Sequence, residues 1–198
     1  MSDEELAVRV STNDDKHAFD VLIARYRVRV TALARRMLQS TADDAEDLAQ
    51  EAFVAAFEKR KSFRSVSEYR PWLYRIVINR CCDKHRARKR RPGSQSLIES
   101  VTLVDSASDP LNIMVVDEER TAVLNAIDAL PIKYKIVFLL RHSDDLTYEQ
   151  IALSANIPMN TVKTHLFRAR SLLREALVGQ KAELSTFDKQ DLRGELKP

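Results

Sequence analysis

Apolar residues recur every three to four positions over most of this chain, and few stretches alternate with period two, so the pattern predicts an all-α protein. Phe19, Leu22, Ile23, Tyr26, Val30, Leu33 and Met37 share one face of an amphipathic helix. Ser40 or Thr41 caps the next helix, whose buried stripe is Ala45, Leu48, Ala49, Ala52, Phe53, Ala56 and Phe57. A short connection, Lys61 to Ser67, leads to a third helix built on Tyr69, Trp72, Leu73, Ile76 and Val77. Pro71 falls in its first turn, where a missing N–H does no harm. Pro92-Gly93 ends this region, and Gln95 to Pro110 is rich in Ser, Asp and small residues without a sustained period. The helical pattern resumes near Asp117, pauses at Leu130-Pro131 and at His142 to Asp145, and ends at Gly179. The expectation is two small helical domains, 1–91 and 116–178, joined by a flexible linker over 92–115 and trailed by a tail of unassigned role over 179–198.

The second domain carries the densest signal, the segment from Leu146 to Leu173. Thr147 and Gln150 form a Thr-x-x-Gln capping box that opens a short helix and turns Ile151 and Ala152 inward. Asn156 follows at a turn that needs φ > 0, which Asn tolerates. Pro158 suits the opening of a second helix, in which Val162, Leu166 and Leu173 repeat at helical spacing. This is the pattern of a helix-turn-helix. The outer face of its second helix presents Asn160, Thr161, Lys163, Thr164, His165, Arg168 and Arg170. Such hydrogen-bonding and cationic groups suit base edges and phosphates in a major groove. The competing reading is an αα-hairpin with a solvated basic face.

Composition sharpens the class more than the function. Three Gly and six Pro in 198 residues are few helix breakers, and 44% apolar residues suffice for real cores. A net charge of +3 is a weak argument for nucleic acid, so the distribution of charge matters more. Cys81 and Cys82 are adjacent, lack partners at ligand spacing and read as reduced thiols. The four histidines fall in no motif, and no Gly-rich phosphate loop is present. We therefore expect no catalytic residue, no metal and no cofactor. With no export signal and no long apolar run, the expected setting is cytoplasmic, without membrane insertion.

Two charge clusters lie in the first domain. Asp43, Asp44, Glu46, Asp47 and Glu51 crowd the early turns of one helix, where carboxylates complement its dipole. Asp47, Gln50 and Glu51 stand at i, i+3 and i+4 on one exposed face, which fits a docking surface for a basic protein better than a metal site on one helix. The second cluster, Lys84 to Arg91, holds six Lys or Arg without an acid and extends a helix bearing Trp72, Tyr74, Arg75 and Asn79. Aromatic and amide groups leading into a cationic end suit DNA whose bases are contacted and whose phosphates are neutralised.

In order and spacing, these motifs resemble the extracytoplasmic-function (ECF) sigma factors of bacterial RNA polymerase, over about residues 5–178. Asp44-Ala-Glu-Asp-Leu-Ala-Gln-Glu-Ala-Phe53 is similar to that family's acidic helix of region 2.2. Phe63-Arg64, then Trp72 to Asn79 and Asp83, resemble regions 2.3 and 2.4. Ala129-Leu130-Pro131, Tyr148 to Ala152 and Leu166 to Arg170 resemble region 4. The larger housekeeping architecture is not expected here.

The resemblance implies roles. Asp44, Asp47, Gln50 and Glu51 would dock on the β′ clamp helices of core RNA polymerase, with the β flap as a further contact. Phe63, Arg64, Ser65, Ser67, Trp72, Arg75 and Asn79 would melt the −10 element and hold a flipped base, with Arg86 and Arg88 on phosphates. The helix opening at Pro158 would read the −35 element through Asn160, Thr161, Lys163, Thr164, His165, Arg168 and Arg170. An anti-sigma factor is the implied regulator. Ser65-Val66-Ser67 departs from the Gly-Asp often found in that loop. A DNA-binding regulator independent of polymerase would leave the Asp47/Gln50/Glu51 face unexplained. A nucleic-acid enzyme would need chemistry this sequence does not display.

Overall fold

The computed structural model describes residues 1–63, 68–90 and 110–194, apart from the side chains of 89, 110–119 and 179–194; every regular element among them is helical. Helix α1 (Asp3–Asn13) opens on a capping box in which Ser2 Oγ accepts from Glu5 N at 3.1 Å and Glu5 Oε2 accepts from Ser2 N at 2.7 Å. It buries Leu6, Ala7 and Val10 and stops where Asp14 turns left-handed at φ 53°. Asp15 caps α2 (Lys16–Leu38) by accepting from Ala18 N, and Gln39 ends it at φ 49°. Of the two candidate caps for α3 (Ala42–Glu58), Thr41 does the work, its hydroxyl accepting from Asp44 N. A 3₁₀ turn at Arg60–Ser62 leads towards α4 (Tyr69–Arg90).

The second half contains α5 (Pro110–Ala129), α6 (Ile132–His142), α7 (Tyr148–Ala155) and α8 (Met159–Gly194). The Thr147–Gln150 capping box is present, and Asn156 takes φ 53° at the turn between α7 and α8. Two boundaries differ from the sequence pattern. Helix begins at Pro110 rather than near Asp117, proline being well suited to a first helical position. Helix also runs through Gly179 to Gly194, because one glycine costs only about 1 kcal/mol in a helix interior and good helix formers flank it.

Helices α2, α3 and α4 pack around Leu22, Val30, Leu48, Leu73, Tyr74 and Val77, with α1 laid against α2 and α4. Helices α5 to α8 close over Val137, Leu140, Leu146, Ile151, Val162 and Leu166. Each such side chain contributes about 1.5–3 kcal/mol on burial. The two halves also touch. Helix α7 and the turn before it pack on α4, and the Gln39 side-chain amide donates to the Asp128 carbonyl at 2.5 Å.

Candidate polymerase-docking and nucleic-acid surfaces

Buried Ala45, Leu48, Ala49 and Ala52 hold α3 against its neighbours, and this turns Asp44, Asp47, Gln50 and Glu51 outward. Asp47 and Gln50 make no hydrogen bond or ion pair among the described residues, so both are available to a partner. Between α2 and α3 runs a groove of about 780 Å³, floored by Phe19, Ile23, Phe53, Val54 and Phe57 and rimmed by Arg27, Glu46 and Gln50. Phe19 and Phe57 meet there with their rings tilted and centroids 5.1 Å apart. Phe19 and Ile23 lie on the apolar face of α2 and Phe57 on the stripe of α3 expected to be buried, yet all three are only half-buried. Val54, outside every apolar stripe, was the usable signal: a valine at an exposed helix position.

The acidic and basic clusters are not separate surfaces. Lys84 Nζ lies 3.3 Å from Glu51 Oε1, and Arg88 Nη2 lies 3.1 Å from Asp44 Oδ2. Arg88 also donates to the Leu38 carbonyl at 2.9 Å, which ties it to the α2–α3 junction rather than leaving it free for phosphate. Arg86 pairs within its own helix with Asp83 at 2.8 Å. Both pairs across α3 and α4 are solvent-exposed and worth roughly 0–1 kcal/mol each.

At the start of α4, Phe63, Tyr69 and Trp72 form an aromatic cluster. The Phe63 ring meets Tyr69 and Trp72 edge-on at 5.9 and 5.6 Å, and Tyr26 meets Tyr69 at 5.7 Å. Phe63 is buried, so its ring packs into the cluster instead of presenting a face to DNA; Trp72 is half-buried. Arg64, Ser65 and Ser67 lie outside the described residues. Arg75 and Asn79 stand exposed one turn apart on α4.

Helix α1, not anticipated from the apolar pattern, braces this cluster. The Tyr26 hydroxyl donates to the Asp3 carboxylate, which Arg25 also engages at 2.6 Å, and Tyr69 N donates to Glu4 Oε1 at 3.5 Å. Burial, reinforced by Asp3, pushes the Tyr26 phenol above its ordinary pKa. The Ser2-x-x-Glu5 spacing would have announced this helix.

On α8, Asn160, Lys163, Thr164, Arg168 and Arg170 are exposed along one side, and Thr161 is half-exposed. Thr164 Oγ1 donates back to the Asn160 carbonyl at 2.9 Å, leaving its lone pairs outward. His165 behaves differently. Its ring packs edge-on against Tyr134 at 5.2 Å and its Nδ1 is buried; that burial, helped by Lys133, holds its pKa below the ordinary imidazole value. It joins α6 to α8 as a neutral ring instead of adding a cation to the DNA face.

Family models match the chain in both halves: Sigma-70 region 2 over residues 22–91 and Sigma-70, region 4 over residues 120–173. The ECF RNA polymerase sigma-E factor of Escherichia coli (strain K12) is 36% identical over 180 residues, covering 87% of this chain and 93% of that one. The chain belongs to the ECF sigma factors of RNA polymerase. The RNA polymerase sigma-H factor of Pseudomonas aeruginosa is 34% identical over 182 residues, covering 88% and 93% of the two chains. Among solved structures, the sigma factor RpoE of Bartonella quintana, in complex with the anti-sigma factor NepR, matches with TM-score 0.64 at 25% identity, over 80% of this chain and 96% of that one. CnrH, in complex with the cytosolic domain of CnrY, shares the fold with TM-score 0.67 at 21% identity, over 89% and 97%. In this sigma factor α3 and α4 fall within the region 2 match, and α7 with the first part of α8, to residue 173, falls within the region 4 match.

Proposed function

We propose that this sigma factor docks on core RNA polymerase through α3, opens the −10 element at the start of α4 and reads the −35 element with α8. The observation that carries the reading is the juxtaposition on the first domain. An exposed Asp47/Gln50/Glu51 face beside an apolar groove lies one helix away from the exposed Arg75 and Asn79 of α4. A regulator acting without polymerase has no use for the first surface, and a protein adaptor has no use for the second. The groove floor supplies apolar area for a helical partner, while the carboxylates set its register and favour basic side chains. On α8, Lys163 and Arg168 supply charge, and Asn160 and Thr164 supply groups for base edges.

The factor acts in the cytoplasm as a non-catalytic subunit. The RpoE–NepR pairing of a structural relative supports regulation by an anti-sigma factor. Transcription in vitro with core polymerase and mapped start sites tests the whole reading. With Asp47→Lys, core binding should weaken by at least about tenfold, or about 1.4 kcal/mol, while helix content is unchanged. Unaltered core binding in that variant would remove α3 as the docking helix.

A further inference from the structure

We infer that the two domains of the free chain close on each other through a latch, Asp144 inserted against Tyr74 and Arg70 of α4, which must open before a promoter is engaged. This rests on the promoter-reading roles given to the two domains above.

Asp144 lies in the turn between α6 and α7 and is 5% exposed, the only buried acid among the described residues. Its carboxylate accepts from the Tyr74 hydroxyl of the other domain. Arg70 donates to the Asp144 carbonyl, and its Nη2 lies 3.9 Å from Asp144 Oδ1. Asp145 at φ 52° turns the chain so that Asp144 points into α4 while Leu146 enters the second domain's core. Two further clasps flank the latch: the Gln150 amide donates to the Glu68 carboxylate, and the Gln39 amide donates to the Asp128 carbonyl at 2.5 Å. Burial also pushes its carboxyl pKa above the ordinary range, so the charge is held at a cost.

A polar, hydrogen-bonded contact of this kind specifies one arrangement while adding little net stability, which suits a reversible closure. The closed form does not fit a promoter. Elements centred near −10 and −35 are separated by about 25 base pairs, or about 85 Å of duplex. Two touching domains of this size, each with a radius of gyration of about 12 Å, cannot present their reading faces so far apart. The roughly 19 residues from 91 to 109 can extend to about 65 Å, enough for the domains to part once the latch opens. The outer side of α8 remains exposed in the closed form, so the latch prevents joint engagement without blocking a lone upstream duplex.

The test uses the full chain with Cys81→Ala and Cys82→Ala, carrying Gln39→Cys and Asp128→Cys, which gives up the Gln39 clasp in every variant compared and leaves the Asp144 latch in place. A short fluorogenic bis-thiol reagent reports closure by its cross-linking rate. Asp144→Ala should slow cross-linking by at least about tenfold, because it leaves the buried Tyr74 hydroxyl without its acceptor and removes the carboxylate beside Arg70; the milder Tyr74→Phe should slow it severalfold. The cross-linked chain should retain binding to an upstream-element duplex and lose open-complex formation with core polymerase by at least about tenfold against a singly alkylated control. Equal cross-linking rates with and without the latch residues, or equal open-complex formation by cross-linked and control chains, would overturn the inference. If the control itself starts no transcripts, the proposed function fails, while the cross-linking rates still decide whether the latch exists.

Discussion

Helix α8 carries the residues proposed to read duplex DNA unaided: Asn160, Lys163, Thr164, Arg168 and Arg170 all stand on one exposed side. The corresponding surface at the start of α4 is composite. There Arg75 and Asn79 are exposed, but their setting depends on buried Phe63 and Tyr69, half-buried Trp72, and the Asp3 and Glu4 carboxylates of α1. The contrast follows the physical tasks. Reading closed duplex needs only a stable helix with polar groups along it. Holding a base outside the stack needs a pocket with fixed walls, and walls come from tertiary packing.

Breaking a wall should therefore have the largest effect, and only on the first domain. Tyr69 is 2% exposed and sits at the centre of the aromatic cluster. Tyr69→Ala should destabilise that domain by about 3–5 kcal/mol. Trp72 is the single tryptophan, so its fluorescence in chemical denaturation reports this domain alone. Tyr69→Phe should cost nothing or stabilise, because the Tyr69 hydroxyl is buried without a hydrogen-bond partner. A large loss with phenylalanine would mean that the hydroxyl has an unrecognised role in the pocket.

The exposed face of α8 should respond in the opposite way, losing recognition without losing stability. Arg168→Ala or Lys163→Ala should cost about 1–3 kcal/mol of discrimination if the side chain meets a base edge. If it meets only phosphate, affinity should fall uniformly across sequences and the salt slope should drop by about 1. Footprinting of the upstream element at several salt concentrations separates the two. His165→Ala should instead lower the melting temperature of the second domain with little change of sequence preference, since its ring packs on Tyr134.

Asn79→Ala sharpens the contrast further. Upstream binding and core docking should survive, while opening slows by about tenfold, or about 1.4 kcal/mol, in permanganate footprints. A pre-melted bubble should restore opening but not base preference at the −10 element. Normal opening with normal preference would place the melting function elsewhere than on this side of α4.

The same contrast explains what the sequence disclosed. The helix-turn-helix was legible to the residue, from the Thr147–Gln150 box to the positive φ of Asn156, because its determinants are local. Helices α2, α3 and α4 were legible from period alone. Three features were not. Helix α1 has a short apolar face, and only its capping box marks it. The half-exposure of Phe19, Ile23 and Phe57 is a tertiary outcome, since periodicity says which face is apolar and not whether another helix covers it. Asp144 reads as an ordinary turn acid until the fold sets it against Tyr74, seventy positions away.

The smallest expected effect concerns the ion pairs that join the acidic face of α3 to the basic end of α4. Lys84 lies 3.3 Å from Glu51 with both side chains partly in water, so the pair itself contributes at most about 1 kcal/mol. If Glu51 docks on a basic surface of core polymerase, Lys84 competes for that carboxylate. Lys84→Ala should then tighten core binding by up to about fivefold, the equivalent of 1 kcal/mol. The sign matters more than the size, because loss of a phosphate contact predicts weaker promoter binding from the same variant and no change with core alone. Repeating the measurement in a Glu51→Gln background closes a double-mutant cycle: the gain should disappear if it acts through Glu51. A gain of equal size in both backgrounds would trace the effect to general charge and leave Glu51 out of the interface.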